Sequence, residues 1–375
     1  MKIPYNKPYL SGKETQYIQE AVAKGHISGD GFFSKKCHHF LEERYGFSKC
    51  LLTTSCTDAL EMAAILIDTQ VGDEIIAPAF TFVSTVNAFV LRGAKIIFAD
   101  CEENTPNIDV NQIEALISPK TKAIVVVHYA GIACDMDKVM DLARKYNLFV
   151  IEDAAQAIDS YYQSQPLGSI GHLSAFSFHE TKNIISGEGG MLVINEESFV
   201  KRAEIIREKG TNRSAFFRGE IDKYNWVDVG SSYLPSDIIG AFLYAQLENL
   251  DNIQARRKEI WQNYQTGLQD LANSRKIKIP QIPIYATHNA HLFYILCKNL
   301  DERTALIDFL KKRGIMAVFH YLSLHTSPFY AQKHDGRKLP NCDYYADCLL
   351  RLPFYYELSA QDQQKVINST IEFYG

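Results

Sequence analysis

A chain of 375 residues is long enough for one large domain with a smaller one beside it. With 46% hydrophobic and 22% charged residues it has an ordinary globular composition, and a formal net charge of -5 argues against a nucleic-acid partner, which calls for a basic surface. The eight cysteines are scattered without a C-x-x-C pair, so neither a metal site nor a disulfide framework is indicated and reduced thiols in the cytoplasm are the simpler reading.

Residues 1–10 are polar and broken by Pro4 and Pro8, which is wrong for a signal peptide, and no apolar run reaches membrane-spanning length. Ser11 is placed to cap a helix carrying Tyr17, Ile18, Ala21 and Val22; a second helix passes through Cys37, Phe40 and Leu41 and ends at Gly46. Between them residues 25–33 (G-H-I-S-G-D-G-F-F) form a loop, either a connector or the edge of a pocket. Strand-like runs then recur at 50–53, 74–77, 95–99, 123–127, 148–151, 174–178 and 191–194, mostly separated by helical stretches such as 59–67, 85–91, 110–117 and 137–146. Short apolar strands joined through helices predict an α/β fold with a large, mostly parallel sheet covered on both faces. Ligands of such sheets collect at the carboxyl ends of the strands.

Four features stand at those ends. T-S-C-T-D-A-L (54–60) opens a helix with small hydroxyl residues, which serve as caps or hold a phosphate. P-A-F-T-F-V-S (78–84) carries two aromatics, for the core or for stacking on a ring. In E-D-A-A-Q (152–156), Asp153 and Gln156 either cap a following helix or place a carboxylate against a ring nitrogen, whose protonated form it favours. Lys182, in S-A-F-S-F-H-E-T-K-N-I-I-S-G-E-G-G (174–190), is on its own most simply a solvated loop lysine; flanked by two buried strands it also suits an imine with an aldehyde. Phosphate grip, ring stack, ring-nitrogen partner and imine lysine together describe a pocket for pyridoxal 5'-phosphate (PLP).

These motifs, with V-H-Y-A-G, F-S-F-H-E-T-K-N and G-E-G-G, resemble over essentially the whole chain the sugar aminotransferases of the DegT/DnrJ/EryC1/StrS family. That resemblance implies an aspartate aminotransferase-like fold type I, with a PLP domain over residues 1–245 and a small C-terminal α/β domain over 246–375. It implies that Lys182 binds the cofactor aldehyde, Asp153 pairs with the ring nitrogen, Gln156 reaches the ring hydroxyl, Phe82 stacks on the ring, and Cys56, Thr57 and Ser177 serve the phosphate. Cys56 stands where members often have Gly. Ser232 stands where many have an Asn that reaches the phosphate of the partner subunit. A homodimer with shared active sites follows, with the cofactor alternating with pyridoxamine 5'-phosphate.

Past Pro235 one long helical pattern runs to about Leu271, and the remainder reads as strand (292–297), helix (304–312), strand (316–319) and a last helix over 360–373. K-G-T-N-R-S-A-F-F-R (209–218), with Lys209, Asn212, Arg213 and Arg218, mixes cations, amides and aromatics. It is either a solvated loop or a grip for a diphosphate and base. His320, Tyr321 and His325 follow the strand at 316–319 and suit polar pocket lining better than a metal. By the resemblance both groups belong to the substrate site. H-E-T-K-N, I-R-E-K-G-T-N-R-S and F-F-R-G resemble more narrowly the transaminases that make dTDP-4-amino-4,6-dideoxygalactose for enterobacterial common antigen. The substrates implied are L-glutamate and dTDP-4-keto-6-deoxy-D-glucose. The alternatives are another nucleotide-linked keto sugar, aminated at C3 or as another epimer, and a non-catalytic regulator on this scaffold. A sugar dehydratase of the same fold has histidine in place of the anchoring lysine, whereas this chain keeps Lys182, with His179 three residues before it.

Overall fold

The computed structural model describes residues 2–375; Met1, with which the first expected domain begins, lies outside them. Seven strands, β1 (Lys49–Thr53), β2 (Glu74–Pro78), β3 (Lys95–Ala99), β4 (Thr121–Val127), β5 (Phe149–Asp153), β6 (Leu173–Ser177) and β7 (Gly190–Ile194), form one sheet in the order β1-β7-β6-β5-β4-β2-β3. The pairs from β3 to β6 are parallel, whereas β7 runs antiparallel to both of its neighbours. The exception has a local cause. No helix separates β6 from β7; residues 178–189 fold back directly, with Phe178 N donating to Gly189 O at 2.8 Å and Ser186 N to Phe178 O at 2.7 Å.

Alternation within the strands shows why both faces are covered. On β4, Ala123 and Val125 point into one apolar cluster while Ile124 and Val126 point into another. The first cluster is roofed by α3 (Cys56–Leu66) and α4 (Ser84–Val90), the second by α2 (Phe32–Tyr45) and α5 (Met136–Tyr146). Each buried Val, Ile or Leu contributes on the order of 1.5–3 kcal/mol, so a register slip would expose one whole set.

The N-terminal helix α1 (Glu14–Ala23) is not capped by the Ser11 side chain: Glu14 itself takes the N–H groups of Ser11 (2.7 Å) and Gly12 (2.9 Å). The long pattern after Pro235 is two helices, α7 (Asp237–Glu248) and α8 (Leu250–Asn273), preceded by α6 (Val200–Arg207). The break falls at Asn249, a poor helix former, where Gln246 in the preceding turn is held by Tyr9 O and Glu14. Leu250 and Ile253 at the start of α8 pack in the second sheet cluster, and Ile260, Tyr264 and Leu268 pack in a third, C-terminal cluster.

That third cluster is built by α8 with β8 (Tyr294–Leu296), α9 (Leu300–Lys312), β9 (Leu349–Arg351) and α11 (Ala360–Tyr374); α10 (Pro340–Cys348) leads into β9. β8 and β9 pair antiparallel. The expected strand at 316–319 is no strand, because its segment makes only isolated bridges, Ile315 with Ile3 and Val318 with Arg351 of β9. Ile3 packs within the C-terminal cluster, so the start of the chain is bound to its far end. No helix of the described residues is long and apolar enough to cross a membrane.

Candidate active site

A cavity of about 570 Å³ opens at the carboxyl ends of β1, β2, β5 and β6. Its size is in the range that takes a small-molecule cofactor and substrate. Lys182 reaches it from the β6–β7 loop, in a turn closed by its own N–H to His179 O at 2.9 Å. The next residue anchors that turn: Asn183 Nδ2 donates to Gln254 Oε1 and to Asn289 O, both at 2.8 Å. Burial holds the Lys182 amine below the ordinary lysine value, against the opposing pull of Cys56 and Asp153, and nothing among the described residues hydrogen-bonds its Nζ. A lysine that gives up its proton more readily is a better nucleophile and base.

Asp153 ends β5 with its carboxylate buried. Oδ2 accepts from Thr85 Oγ1 at 2.6 Å and Oδ1 from Ala155 N at 3.1 Å. Burial raises its pKa, with the Thr85 bond working the other way. A cationic N–H facing this carboxylate would favour its charged form. Thr85 in turn meets Thr81, which precedes α4, at 2.7 Å. The backbone after Asp153 does not start a helix, so neither Asp153 nor Gln156 is a cap. Gln156 Oε1 accepts from Ala130 N at 2.7 Å, and its Nε2 donates to the Tyr321 hydroxyl at 3.0 Å. Ala130 has φ +58, and this left-handed turn in V-H-Y-A-G aims its N–H at Gln156.

One residue earlier, Glu152 points to the opposite face of the sheet and is wholly buried. It accepts from Gly168 N (2.8 Å), Ile170 N (2.9 Å) and Gly171 N (2.6 Å), and from His128 Nε2 (2.9 Å). Cys134 N donates to Nδ1 of the same ring, which leaves the proton on Nε2.

The opposite wall is the first turn of α3. Ser55 caps it, accepting from Asp58 N at 3.1 Å, so Cys56 and Thr57 present the unpaired N–H groups that begin any helix. A Cβ on Gly190 would lie 2.2 Å from Ser55 C and 2.4 Å from Cys56 N, so only glycine lets β7 start against this turn. Thr57 Oγ1 meets Ser84 Oγ at 2.8 Å. The two aromatics after β2 divide their work: Phe80 is buried against Tyr129 and Tyr345, whereas Phe82 is 56% exposed in the single chain and lines the cavity. An amine without a partner, a buried carboxylate with spare acceptor capacity, an anion-seeking helix start and a free aromatic face fit the aldehyde, ring nitrogen, phosphate and ring of PLP.

Of the residues singled out in the sequence, Cys56, Thr57, Phe82, Asp153, Gln156, Ser177, Lys182, His320 and Tyr321 line this cavity. His320 stacks on Tyr321, with ring centres 3.5 Å apart, and its Nδ1 meets the Tyr129 hydroxyl at 2.6 Å. His325 does not line it; its Nε2 lies 3.6 Å from Asp343 and its ring packs on His334. Lys209, Asn212, Arg213, Arg218 and Ser232 also lie outside the cavity of the single chain. Arg213 meets Glu208 at 3.3 Å, Arg218 meets Glu204 at 2.9 Å, and Ser232 bridges to Glu208. Sequence reasoning missed Tyr5, Thr85, His291 and Arg351. Thr85 was legible only as a polar residue in the first turn of the helix that follows β2. His291 and Arg351 flank short apolar runs whose ends could have been searched as the others were; Tyr5 carries no local signal.

The chain is 34% identical over 385 aligned residues to the spore coat polysaccharide biosynthesis protein SpsC of Bacillus subtilis, covering 98% of this chain and 96% of that protein. The aminotransferase TlmJ from Streptoalloteichus hindustanus superposes with a TM-score of 0.92 at 26% identity, over 100% of this chain and 99% of that one. Spr1654 from Streptococcus pneumoniae in its PLP form does so with a TM-score of 0.90 at 25% identity, over 100% and 98%, and the same protein is also known in a PMP form. Both share the fold type I architecture described above. With the family profile matching residues 8–370, the chain belongs to the DegT/DnrJ/EryC1/StrS aminotransferase family, whose cofactor is PLP.

Proposed function

We infer that this aminotransferase moves the amino group of L-glutamate to C4 of dTDP-4-keto-6-deoxy-D-glucose, giving dTDP-4-amino-4,6-dideoxy-D-galactose for a surface polysaccharide. The observation that carries the amino transfer is Lys182, unpaired in the cavity with Asp153 and the start of α3. The likeness to a polysaccharide biosynthesis protein favours a sugar acceptor. The choice of nucleotide, carbon and configuration follows H-E-T-K-N, I-R-E-K-G-T-N-R-S and F-F-R-G.

When bound, PLP supplies an aldehyde that exchanges one amine for another and a ring that withdraws electrons from the adjacent C–H bond. Lys182 would hold that aldehyde, and its Nζ, when free, would take the proton from the donor Cα. Asp153, backed by Thr85, keeps the ring nitrogen protonated. Phe82 would cover the ring, Gln156 would reach its hydroxyl, and Cys56, Thr57 and Ser177 would hold the phosphate. In the second half-reaction Lys182 returns a proton to the sugar carbon from its own side, which sets the configuration.

His320 and Tyr321 bind the acceptor, with His325 supporting their loop. Lys209, Asn212, Arg213 and Arg218 grip the diphosphate, and Ser232 the cofactor phosphate, in the cavity of a second copy of a homodimer working in the cytoplasm. The test is incubation of PLP-loaded enzyme with glutamate and a panel of nucleotide keto sugars, with product configuration read by NMR. A C4 axial amine on the dTDP sugar is expected; amination only of another sugar or carbon rules the substrate out, and a cofactor band that no amino acid bleaches rules out transfer.

A further inference from the structure

Away from the cavity, two thiols meet. Cys101 lies two residues beyond β3, the edge strand of the large sheet, and Cys342 is the third residue of α10. Although 241 positions separate them in sequence, their Sγ atoms are 3.2 Å apart, and both residues are fully buried. Other buried thiols close on carbonyl oxygens instead, Cys37 on Gly240 O and Cys134 on Val127 O, each at 3.3 Å. No step of the amino transfer calls on either sulfur.

The backbone holds the two sulfurs in register. The buried Asp100 accepts from both cysteines through one oxygen, Oδ1, from Cys101 N at 2.9 Å and from Cys342 N at 2.8 Å, and its Oδ2 accepts from Asn341 N at 3.1 Å. Asn341 Nδ2 donates in return to Cys101 O at 2.8 Å. Tyr345, further along α10, shares its hydroxyl proton between Glu102 O (3.1 Å) and Glu103 O (3.0 Å). With both N–H groups fixed on one carboxylate, both Cβ atoms are fixed as well. From 3.2 Å the sulfurs have only to close to the ~2.05 Å of a disulfide. Enclosure keeps bulky electrophiles out, and burial pushes the Cys101 thiol well above its ordinary value, so the pair rests protonated and reduced.

We propose that Cys101 and Cys342 form an oxidation site for hydrogen peroxide, thiols at rest and a disulfide afterwards, and that this bond bolts the C-terminal wall of the cavity to the edge of the large sheet. One sulfur, once its proton has left, takes an oxygen from the peroxide and becomes a sulfenic acid, while the hydroxide released picks up that proton as water. The second sulfur then attacks the first, the S–S bond forms, and the oxygen leaves with the second thiol proton as another water. Two thiols are oxidised by two electrons in all, and one peroxide is reduced. The bond adds to a contact that already exists: the segment before α10 sits on the same sheet through Leu324 N on Ala79 O and Arg337 Nη2 on Phe98 O, both at 2.9 Å. A tie across so long a stretch of chain removes much of the freedom of the unfolded state, so the folded form gains.

The test treats the reduced, PLP-loaded full chain with hydrogen peroxide, removes the excess, and traps the remaining thiols by alkylation in denaturant. Mass spectrometry of the unreduced digest is expected to join the peptide of Cys101 to that of Cys342. The melting temperature should rise by about 5 °C or more and return to its starting value with dithiothreitol. Cys342→Ala and Cys101→Ala should each lose both the joined peptide and the rise, whereas Cys134→Ala, which removes another buried thiol, should keep them. Peroxide treatment that leaves both thiols free overturns the proposal. So does a disulfide that maps to other cysteines, a single sulfur carried to sulfinic acid with no bond formed, or a bond that leaves the melting temperature where it was. If an alanine variant does not fold, the digest and the reversible melting shift of the wild-type protein decide by themselves. None of these outcomes depends on which sugar or amino acid the enzyme takes.

Discussion

Lys182 carries two opposed demands, because the burial that makes its amine a base also costs the cofactor-free protein stability. With the folded pKa below that of the unfolded chain, the unfolded state binds more protons, so stability rises with pH between the two values, by about 1.4 kcal/mol for each unit crossed. Lys182→Met should abolish turnover and raise the apo melting temperature, and its advantage should shrink as pH climbs toward the free-lysine value. Melting curves of both apo proteins over a range of alkaline pH check this, and a constant gap refutes it. Catalysis should likewise fall in acid as the amine becomes protonated. Asp153→Asn keeps the shape of the site but not its charge; a loss of about a hundredfold or more in the first half-reaction is expected, with Lys182 still binding the aldehyde. Gly190→Ala drives a methyl into the start of α3. It should weaken cofactor binding more than tenfold in a spectral titration and cost about 1–3 kcal/mol of stability.

At the scale of the elements, the end of β5 is held by the residue next to the chemistry. Burial alone would raise the Glu152 carboxyl, but the His128 bond and the three backbone N–H groups outweigh it and hold it below the ordinary value. Such a group stabilises the fold above the unfolded glutamate pKa, and the contribution is lost as pH falls through the folded value. Glu152→Gln should lower stability at neutral pH by about 2–4 kcal/mol and flatten the acid limb of the stability curve, measured by denaturant unfolding. The sheet was legible because its strands carry apolar residues on both faces and end in small polar residues. The antiparallel sense of β7 was not, since a lysine-bearing loop looks the same whichever way the next strand runs. Nor was the break at Asn249, where the apolar face continues unbroken and a contact from Tyr9 intervenes. The site was legible wherever its residues follow a strand of the large sheet. Arg351 reaches it from the end of a short apolar run of the C-terminal part, and Tyr5 from the N-terminal segment, where no local pattern marks it.

Across the whole molecule, the segment 216–229 stands out because several apolar side chains are exposed close together in it. Trp226 is 81% exposed and Phe217 69%, with Val227 and Val229 beside them. The proposed homodimer would cover them and carry Arg213 and Ser232 to the neighbouring cavity. Sedimentation should then give twice 42.5 kDa, and Trp226→Asp should shift it toward the monomer and lower activity with it. The stitch between Ile3 and Ile315, with Phe354 N on Tyr5 O at 2.9 Å, has a further consequence. A chain emerging from the ribosome can assemble its sheet early, yet one wall of the reaction chamber waits for a strand, Leu349–Arg351, made long after the last strand of that sheet ends at Ile194. Newly made protein therefore stays catalytically silent until that strand has emerged and paired.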